Sequence, residues 1–224
     1  KQINKKYQIC QSCIMDTSDP NIFFNKSGKC SHCLNFENNI LPNWKNNINS
    51  NLIFKLAENI KKRNKNNEFD CIIGLSGGLD SSFVTHIAVK ELNLKPLLFH
   101  VDAGWNTDKA MWNIEKLVDG LDLDLYTEVY EWESVKKMQL AFLKSGIADQ
   151  DLVQDAAFFS GLYEFTKKFG IKDIITGSNF LTECCREPEA WGGFLGIDKW
   201  LFEDIYKKFG EAKKINFPII DIFE

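Results

Sequence analysis

The chain reads as an α/β protein, a parallel sheet flanked by helices, behind a small N-terminal cysteine module. Three observations carry that reading. From residue 68 onward, short apolar runs alternate with segments of helical period. A glycine-rich turn, Ser76-Gly77-Gly78, joins the first apolar run to the first helical one. Two Cys-x-x-Cys pairs fall within residues 1–34. Residues 35–67, rich in Asn and Lys, form a helical linker, because Leu52, Ile53, Leu56, Ala57 and Ile60 recur at helical spacing.

In the main domain, residues 68–224, Asp70-Cys71-Ile72-Ile73-Gly74-Leu75 is a buried strand. Phe83, Val84, Ile87, Ala88 and Leu92 mark the apolar face of the helix that follows. Residues 96–101 make a second strand, 107–119 a helix and 124–130 a third strand. Helices over about 134–144 and 151–169 lead to a fourth strand at 171–177. Strands that alternate with helices imply a parallel sheet covered on both faces. Ligands of such sheets bind beyond the carboxyl ends of the strands, so the loops after Leu75, Val101, Tyr130 and Ile175 are the places to search. No initiator Met is present, and Phe217–Glu224 reads as an element in progress, so the domain is expected to continue.

The chain has 224 residues, is 44% hydrophobic and carries a net charge of -4. That charge gives no broad basic field for holding nucleic acid, and Lys61, Lys62, Arg63 and Lys65 read as the solvated end of a helix. No apolar run reaches the ~18 residues a membrane span needs, and no signal peptide is visible. Seven cysteines, four of them in metal-type spacing, point to a reducing cytoplasm. Cys10-x-x-Cys13 and Cys30-x-x-Cys33, sixteen residues apart, are two knuckles that can close one tetrahedral sulfur site suited to structural zinc. His32 is a competing donor. Cys71 reads as core.

The turn continues as Ser76-Gly77-Gly78-Leu79-Asp80-Ser81-Ser82. Its glycines allow backbone N–H groups to face an anion, the following helix adds a positive end, and the serines add hydroxyl donors. It lacks the Gly-Lys-Ser/Thr ending of a Walker loop and is not Gly-x-Gly-x-x-Gly, which disfavours a nicotinamide cofactor.

Ser-Gly-Gly-x-Asp-Ser resembles the signature of the ATP-pyrophosphatase (PP-loop) superfamily, which has the adenine nucleotide alpha hydrolase-like fold. A narrower resemblance is to the N-acetyl sugar amidotransferases of bacterial surface-polysaccharide (lipopolysaccharide O-antigen) biosynthesis. It runs through Cys10-Gln11-Ser12-Cys13-Ile14-Met15-Asp16-Thr17-Ser18-Asp19-Pro20, the loop Gly74–Ser82 and His100-Val101-Asp102-Ala103-Gly104-Trp105-Asn106. It continues in Leu143–Gly146, Gln154-Asp155, Thr176-Gly177-Ser178-Asn179 with Thr182-Glu183, and Phe217-Pro218. Ala156 stands where the resemblance leads one to expect histidine, and Cys184-Cys185 matches nothing in it.

The resemblance implies that ATP lies on Ser76, Gly77, Gly78, Asp80, Ser81 and Ser82, with Val101 at the adenine. It implies that Asp80, which could also cap the helix, holds magnesium, and Glu183 is the second candidate carboxylate. Thr176, Gly177 and Asn179 are candidates for phosphate or substrate contact, or else turn residues. Gln154, Asp155, Arg186 and Trp191 are candidates for the sugar, with helix capping and surface roles as the alternatives. The remaining tryptophans read as core or rim. The implied reaction adenylates the N-acetyl oxygen and lets ammonia displace AMP to leave an acetamidino sugar. No glutaminase motif is present, so the resemblance implies glutaminase and ammonia-channelling barrel subunits as partners. Two other functions fit the same loop: tRNA thiolation, and a non-catalytic ATP-binding scaffold.

Overall fold

The structure, a computed structural model, describes residues 6–42, 51–147, 149–178, 199–211 and 217–219. The described residues up to Ile53 form one compact unit and those from Phe54 onward another.

The first unit holds little regular structure. Antiparallel bridges pair Ile9 with Asp16 and Phe24 with Cys30. A short helix, α1 (Ser31–Asn35), runs into a π-helical turn at Phe36–Ile40. Its core is Ile22 with Cys10 and Cys30, lined by Cys13, Met15, Phe24 and Cys33. So small an apolar cluster cannot offset the entropy of ordering the segment, so it needs a further staple.

The second unit is the α/β domain. Helix α2 (Leu52–Arg63) leads into strand β1 (Cys71–Gly74). Helix α3 (Leu79–Lys90), strand β2 (Pro96–Asp102), helix α4 (Asp108–Leu121) and strand β3 (Leu125–Val129) follow. Helices α5 (Trp132–Ser145) and α6 (Leu152–Phe169) precede strand β4 (Ile174–Ile175), and α7 (Lys199–Phe209) is the last described helix. The fourth strand is two residues long, not the expected seven; only Ile174 and Ile175 pair, with Ile72 and Ile73. No helix among the described residues is long and apolar enough to cross a membrane.

The four strands are parallel, in the order β3-β2-β1-β4. Strand side chains alternate between two cores, as the two-residue pleat requires. Ile72, Leu97, Phe99 and Val101 pack with Val135, Met138 and Phe142 of α5, with α6, and with Phe202 of α7. Cys71, Ile73, Leu75 and Leu98 face the other way, onto Ala57 and Ile60 of α2, Ala88 of α3 and Ile114 of α4. Both faces are thus occupied by helices. What remains open is the carboxyl edge, and the winding reverses there between β1 and β4.

The opposite edge is closed by polar links. Arg63 and Asn64, at the end of α2, both donate to the Asp173 carboxylate, Asn64 at 2.7 Å. Asn64 Oδ1 accepts from the Lys172 N–H, and Asn67 donates to the Gly170 carbonyl. Arg63 is therefore more than a solvated helix end. Burial raises the Asp173 carboxyl, but Arg63 and Asn64 outweigh it and hold the group below its ordinary value. A depressed folded value means that the stabilisation is complete above the unfolded value, near ~4. It is lost as pH falls through the folded value. Asp173→Asn is expected to lower the urea midpoint at neutral pH, with the gap to wild type closing below about pH 4. An equal gap at all pH values would contradict the charged link.

Candidate functional site

The crevice at the carboxyl edge is built from backbone outward. After β1, Leu75 stays in the sheet through its N–H to the Phe99 carbonyl at 2.8 Å, and then the chain turns. Gly77 adopts φ +75°, a region that favours glycine, and a Cβ there would lie 2.4 Å from the Ala110 carbonyl oxygen of α4. Asn113 of α4 donates to the Gly77 carbonyl at 2.9 Å. The Ser76 and Ser81 hydroxyls are 3.0 Å apart, and Ser82 Oγ donates to the Gly78 carbonyl at 2.7 Å. Gly78 is the N-cap of α3 and supplies no side chain, so the first turn of the helix has no side-chain cap. Asp80 is exposed in the first turn of the helix and is not its cap.

Gly177, just past β4, lies against this turn. A Cβ on it would stand 2.6 Å from Ser81 N, 2.7 Å from Ser81 Cα and 2.9 Å from Asp80 C. The loop after β4 and the first turn of α3 thus touch backbone to backbone, and only glycine fits. Thr176 Oγ1 and Ser178 Oγ sit 3.2 Å apart beside it. A helix N-terminus with no side-chain cap, glycine-opened amides and the hydroxyls of Ser76, Ser81, Ser82, Thr176 and Ser178 form a cradle suited to a polyphosphate.

A buried histidine sets the neighbouring wall. His100 Nδ1 lies 2.8 Å from the Leu75 carbonyl and Nε2 lies 3.0 Å from Asn106 Nδ2. With a carbonyl on one side and an amide N–H on the other, the neutral ring carries its proton on Nδ1. His100 is therefore a strut between the β1 and β2 loops. Beyond it, Trp105 and Trp132 meet edge to face at 4.9 Å, made possible by Gly104 at φ +87°. They remain 54% and 39% exposed, and so belong to the rim.

Of the expected site residues, Ser76, Gly77, Gly78, Asp80, Ser81, Ser82, Thr176 and Gly177 gather at this crevice. The Val101 side chain is buried in the core, leaving its backbone for any contact. Gln154 and Asp155 occupy the first turn of α6 and cap nothing. Partial burial, then the charges of Asp149 and Asp151, raise the exposed Asp155 carboxyl above its ordinary value. Ala156 is wholly buried in the core. Asn179, Glu183, Arg186 and Trp191, with Cys184 and Cys185, lie outside the described residues. A cleft of about 380 Å³ at the end of β3, lined by Tyr130, Glu131, Ser134, Phe217 and Pro218, includes none of the expected residues. Asn113 and Ala110 went unread in the sequence, because both sit inside an ordinary helical pattern.

The cysteine cluster is a second centre. The four sulfurs of Cys10, Cys13, Cys30 and Cys33 all lie within 4.8 Å of one another. Cys10 to Cys33 is 3.9 Å and Cys13 to Cys30 is 3.6 Å. Zinc–sulfur bonds of about 2.3 Å imply a tetrahedral edge of about 3.8 Å, so the set already has the spacing of one closed site. Burial pushes the Cys10 thiol up, but N–H groups of Ser12, Cys30 and Cys13 bring it to about 6. Burial and the neighbouring cysteines push Cys33 upward, and burial raises Cys30. Crowded thiols cannot all ionise unless a cation joins them. His32 does not compete, because its Nε2 is held 2.7 Å from the buried Asp19 carboxylate.

No protein-family model matches the chain, and none of the curated proteins does. Solved structures do resemble it. An NH3-dependent NAD synthetase from Campylobacter jejuni superposes with a TM-score of 0.43 at 17% identity, covering 69% of this chain and 70% of that one. An NMN synthetase from Francisella tularensis gives 0.42 at 20%, covering 71% of each. A glutamine-dependent NAD+ synthetase from Acinetobacter baumannii gives 0.44 at 18%, covering 68% of this chain and 30% of that one.

Two outcomes follow. Purified protein is expected to carry about one zinc equivalent, and Cys30→Ser to lose both the metal and protection of the N-terminal segment from proteolysis. A variant that kept its full metal content would disprove the four-sulfur site. If ATP lies on this turn, as the resemblance implies, Gly177→Ala is expected to weaken its binding at least tenfold by calorimetry, because the methyl must push back the Ser81 backbone. Unchanged affinity would place the nucleotide elsewhere.

Proposed function

We propose that this chain is an ATP-pyrophosphatase-type amidotransferase that converts the N-acetyl group of a sugar into an acetamidino group for surface-polysaccharide biosynthesis. The observation that carries the reading is the Ser-Gly-Gly-x-Asp-Ser turn. It enters an uncapped helix at the point where the sheet's winding reverses, with Gly177 pressed against it.

An amide is a poor electrophile. In the proposed reaction its oxygen attacks the α-phosphorus of ATP, and the bond to pyrophosphate breaks. Ammonia then adds to the imidate carbon, and the C–O bond breaks to release AMP. The chain's tasks are placement and charge stabilisation. Ser76, Gly77, Gly78, Ser81 and Ser82 cradle the phosphates, Thr176 and Gly177 close over them, and the Val101 backbone meets the adenine. Asp80 and Glu183 would hold magnesium, with Asn179 beside the phosphates. Gln154, Asp155, Arg186 and Trp191 serve the sugar. The four cysteines hold zinc as a structural staple, which suits a unit with so small a core. Ammonia comes from glutaminase and channelling barrel subunits.

The alternative of tRNA thiolation has less behind it. The chain is acidic, and Cys71, the described cysteine outside the zinc set, is fully buried with its thiol pushed up to about 12.

The test uses the full-length protein with ATP, ammonium and a panel of N-acetylhexosamines, free and as nucleoside diphosphate sugars. AMP, pyrophosphate and a sugar with NH in place of oxygen are expected in equal amounts by mass spectrometry. Glutamine should substitute for ammonium only when the partner subunits are added. Release of ADP, or thiolated tRNA in a parallel assay with no amidino sugar, would sink the proposal.

A further inference from the structure

Gln154 presents a polar group that the fold itself does not use. Its Oε1 is buried and finds no hydrogen-bond partner among the described residues. Buried carbonyls are nearly always paired, because leaving one unpaired costs on the order of a tenfold or larger shift in folding. Gln150 Oε1 shares the condition, but its amide Nε2 is tied to the Ile147 carbonyl and serves the turn ahead of α6. No hydrogen bond of the Gln154 side chain to another described residue offsets this.

The helix fixes where this group lies. Phe158 is four residues on, hence on the same face one turn away. Its ring covers Gly74, the last residue of β1, where a Cβ would stand 2.3 Å from Phe158 Cζ. The far end of α6 meets the amino edge, because Asn67 ahead of β1 donates to the Gly170 carbonyl. Gln154 therefore sits one turn beyond the carboxyl end of β1, on the side where the Ser76 turn begins.

The chemistry narrows what it receives. A carboxamide oxygen only accepts, so the ligand atom is a donor. Asp149, Asp151 and Asp155 are its neighbours in sequence, and a fully ionised phosphate has no hydrogen to give, so the donor belongs to another part of the ligand.

We infer that Gln154 Oε1 accepts the N–H of the substrate's secondary amide and thereby selects acetamido groups over esters and tertiary amides. The inference rests on the adenylation reading above and names the contact that prepares the amide. Drawing on the N–H pushes electron density through the amide onto its oxygen, the atom that attacks phosphorus. Gln is neutral and cannot remove the proton early. The N–H stays on nitrogen as the O–P bond forms and pyrophosphate leaves, and the resulting cationic imidate is the better electrophile for ammonia. After ammonia adds, AMP departs with the spare proton, and the amidinium keeps the original N–H.

The experiment compares wild type, Gln154→Leu and Gln154→Met in the full-length protein. The substrates are the N-acetylhexosamine that wild type converts and its N-methyl derivative, which has no N–H. For the leucine variant, kcat/KM on the N–H substrate should fall roughly ten- to hundredfold, the range for a lost buried hydrogen bond. ATP affinity by calorimetry should stay within twofold. Wild type should lose a similar factor on the N-methyl substrate, and the variants should lose nothing further on it. The urea midpoint should stay equal or rise, because an apolar group replaces an unpaired buried oxygen. A structural glutamine would instead lower the midpoint and ATP binding together, and that result overturns the inference. Undiminished turnover by both variants also overturns it while leaving the function intact. If wild type binds ATP but converts no N-acetyl sugar, the functional reading fails first and the inference falls with it.

Discussion

Everything at the carboxyl edge depends on one backbone contact, that of Gly177 with the Asp80–Ser81 peptide. A sheet buried on both faces leaves only its edges for chemistry, and here the edge is shaped where two loops meet without an intervening side chain. The β1 turn is gripped from three directions. Ala110 and Asn113 of α4 hold Gly77, His100 holds the Leu75 carbonyl, and Gly177 backs Ser81. Such a turn has little freedom left to lose on binding a polyanion, which is what preorganisation means in free-energy terms.

The two units solve the problem of stability differently. The α/β domain relies on apolar burial, with Phe99–Phe165 at 5.0 Å joining helix to sheet and Phe142–Phe202 at 4.7 Å joining helix to helix. The cysteine unit lacks such a core. Two antiparallel bridges aim four sulfurs inward, and a tetrahedral cation would neutralise thiols that otherwise raise one another's proton affinity.

Most of the domain was legible in its sequence because its signals are local. Helical periodicity marked α3 to α6, apolar runs marked β1 and β2, and a β-branched and aromatic stretch marked β3. The turn at the carboxyl edge was legible because paired glycines and serines between an apolar run and a helix have few other uses. What failed to read was set by tertiary structure. Strand β4 pairs only over Ile174–Ile175, while the Asp173 side chain is taken by Arg63 and Asn64 from a point far away in sequence. Asn113 looked like any helix residue until the fold brought it to Gly77. The vacant hydrogen-bonding capacity of Gln154 is likewise a property of burial, which no spacing rule reports.

The position of β4 in the chain also bears on assembly. The β1 turn, α3 and β2 are near neighbours in sequence and can form early, whereas Asn64 and Asp173 are 109 residues apart. Contacts across so long a loop form late, after its closure entropy has been met. On a ribosome, the β1 turn would emerge and wait while more than half of the domain was still being made. Its last wall would arrive only with Gly177. A nascent or truncated chain that stops short of that glycine can hold the whole signature motif and still have no finished crevice, so a closed crevice reports completion of the sheet.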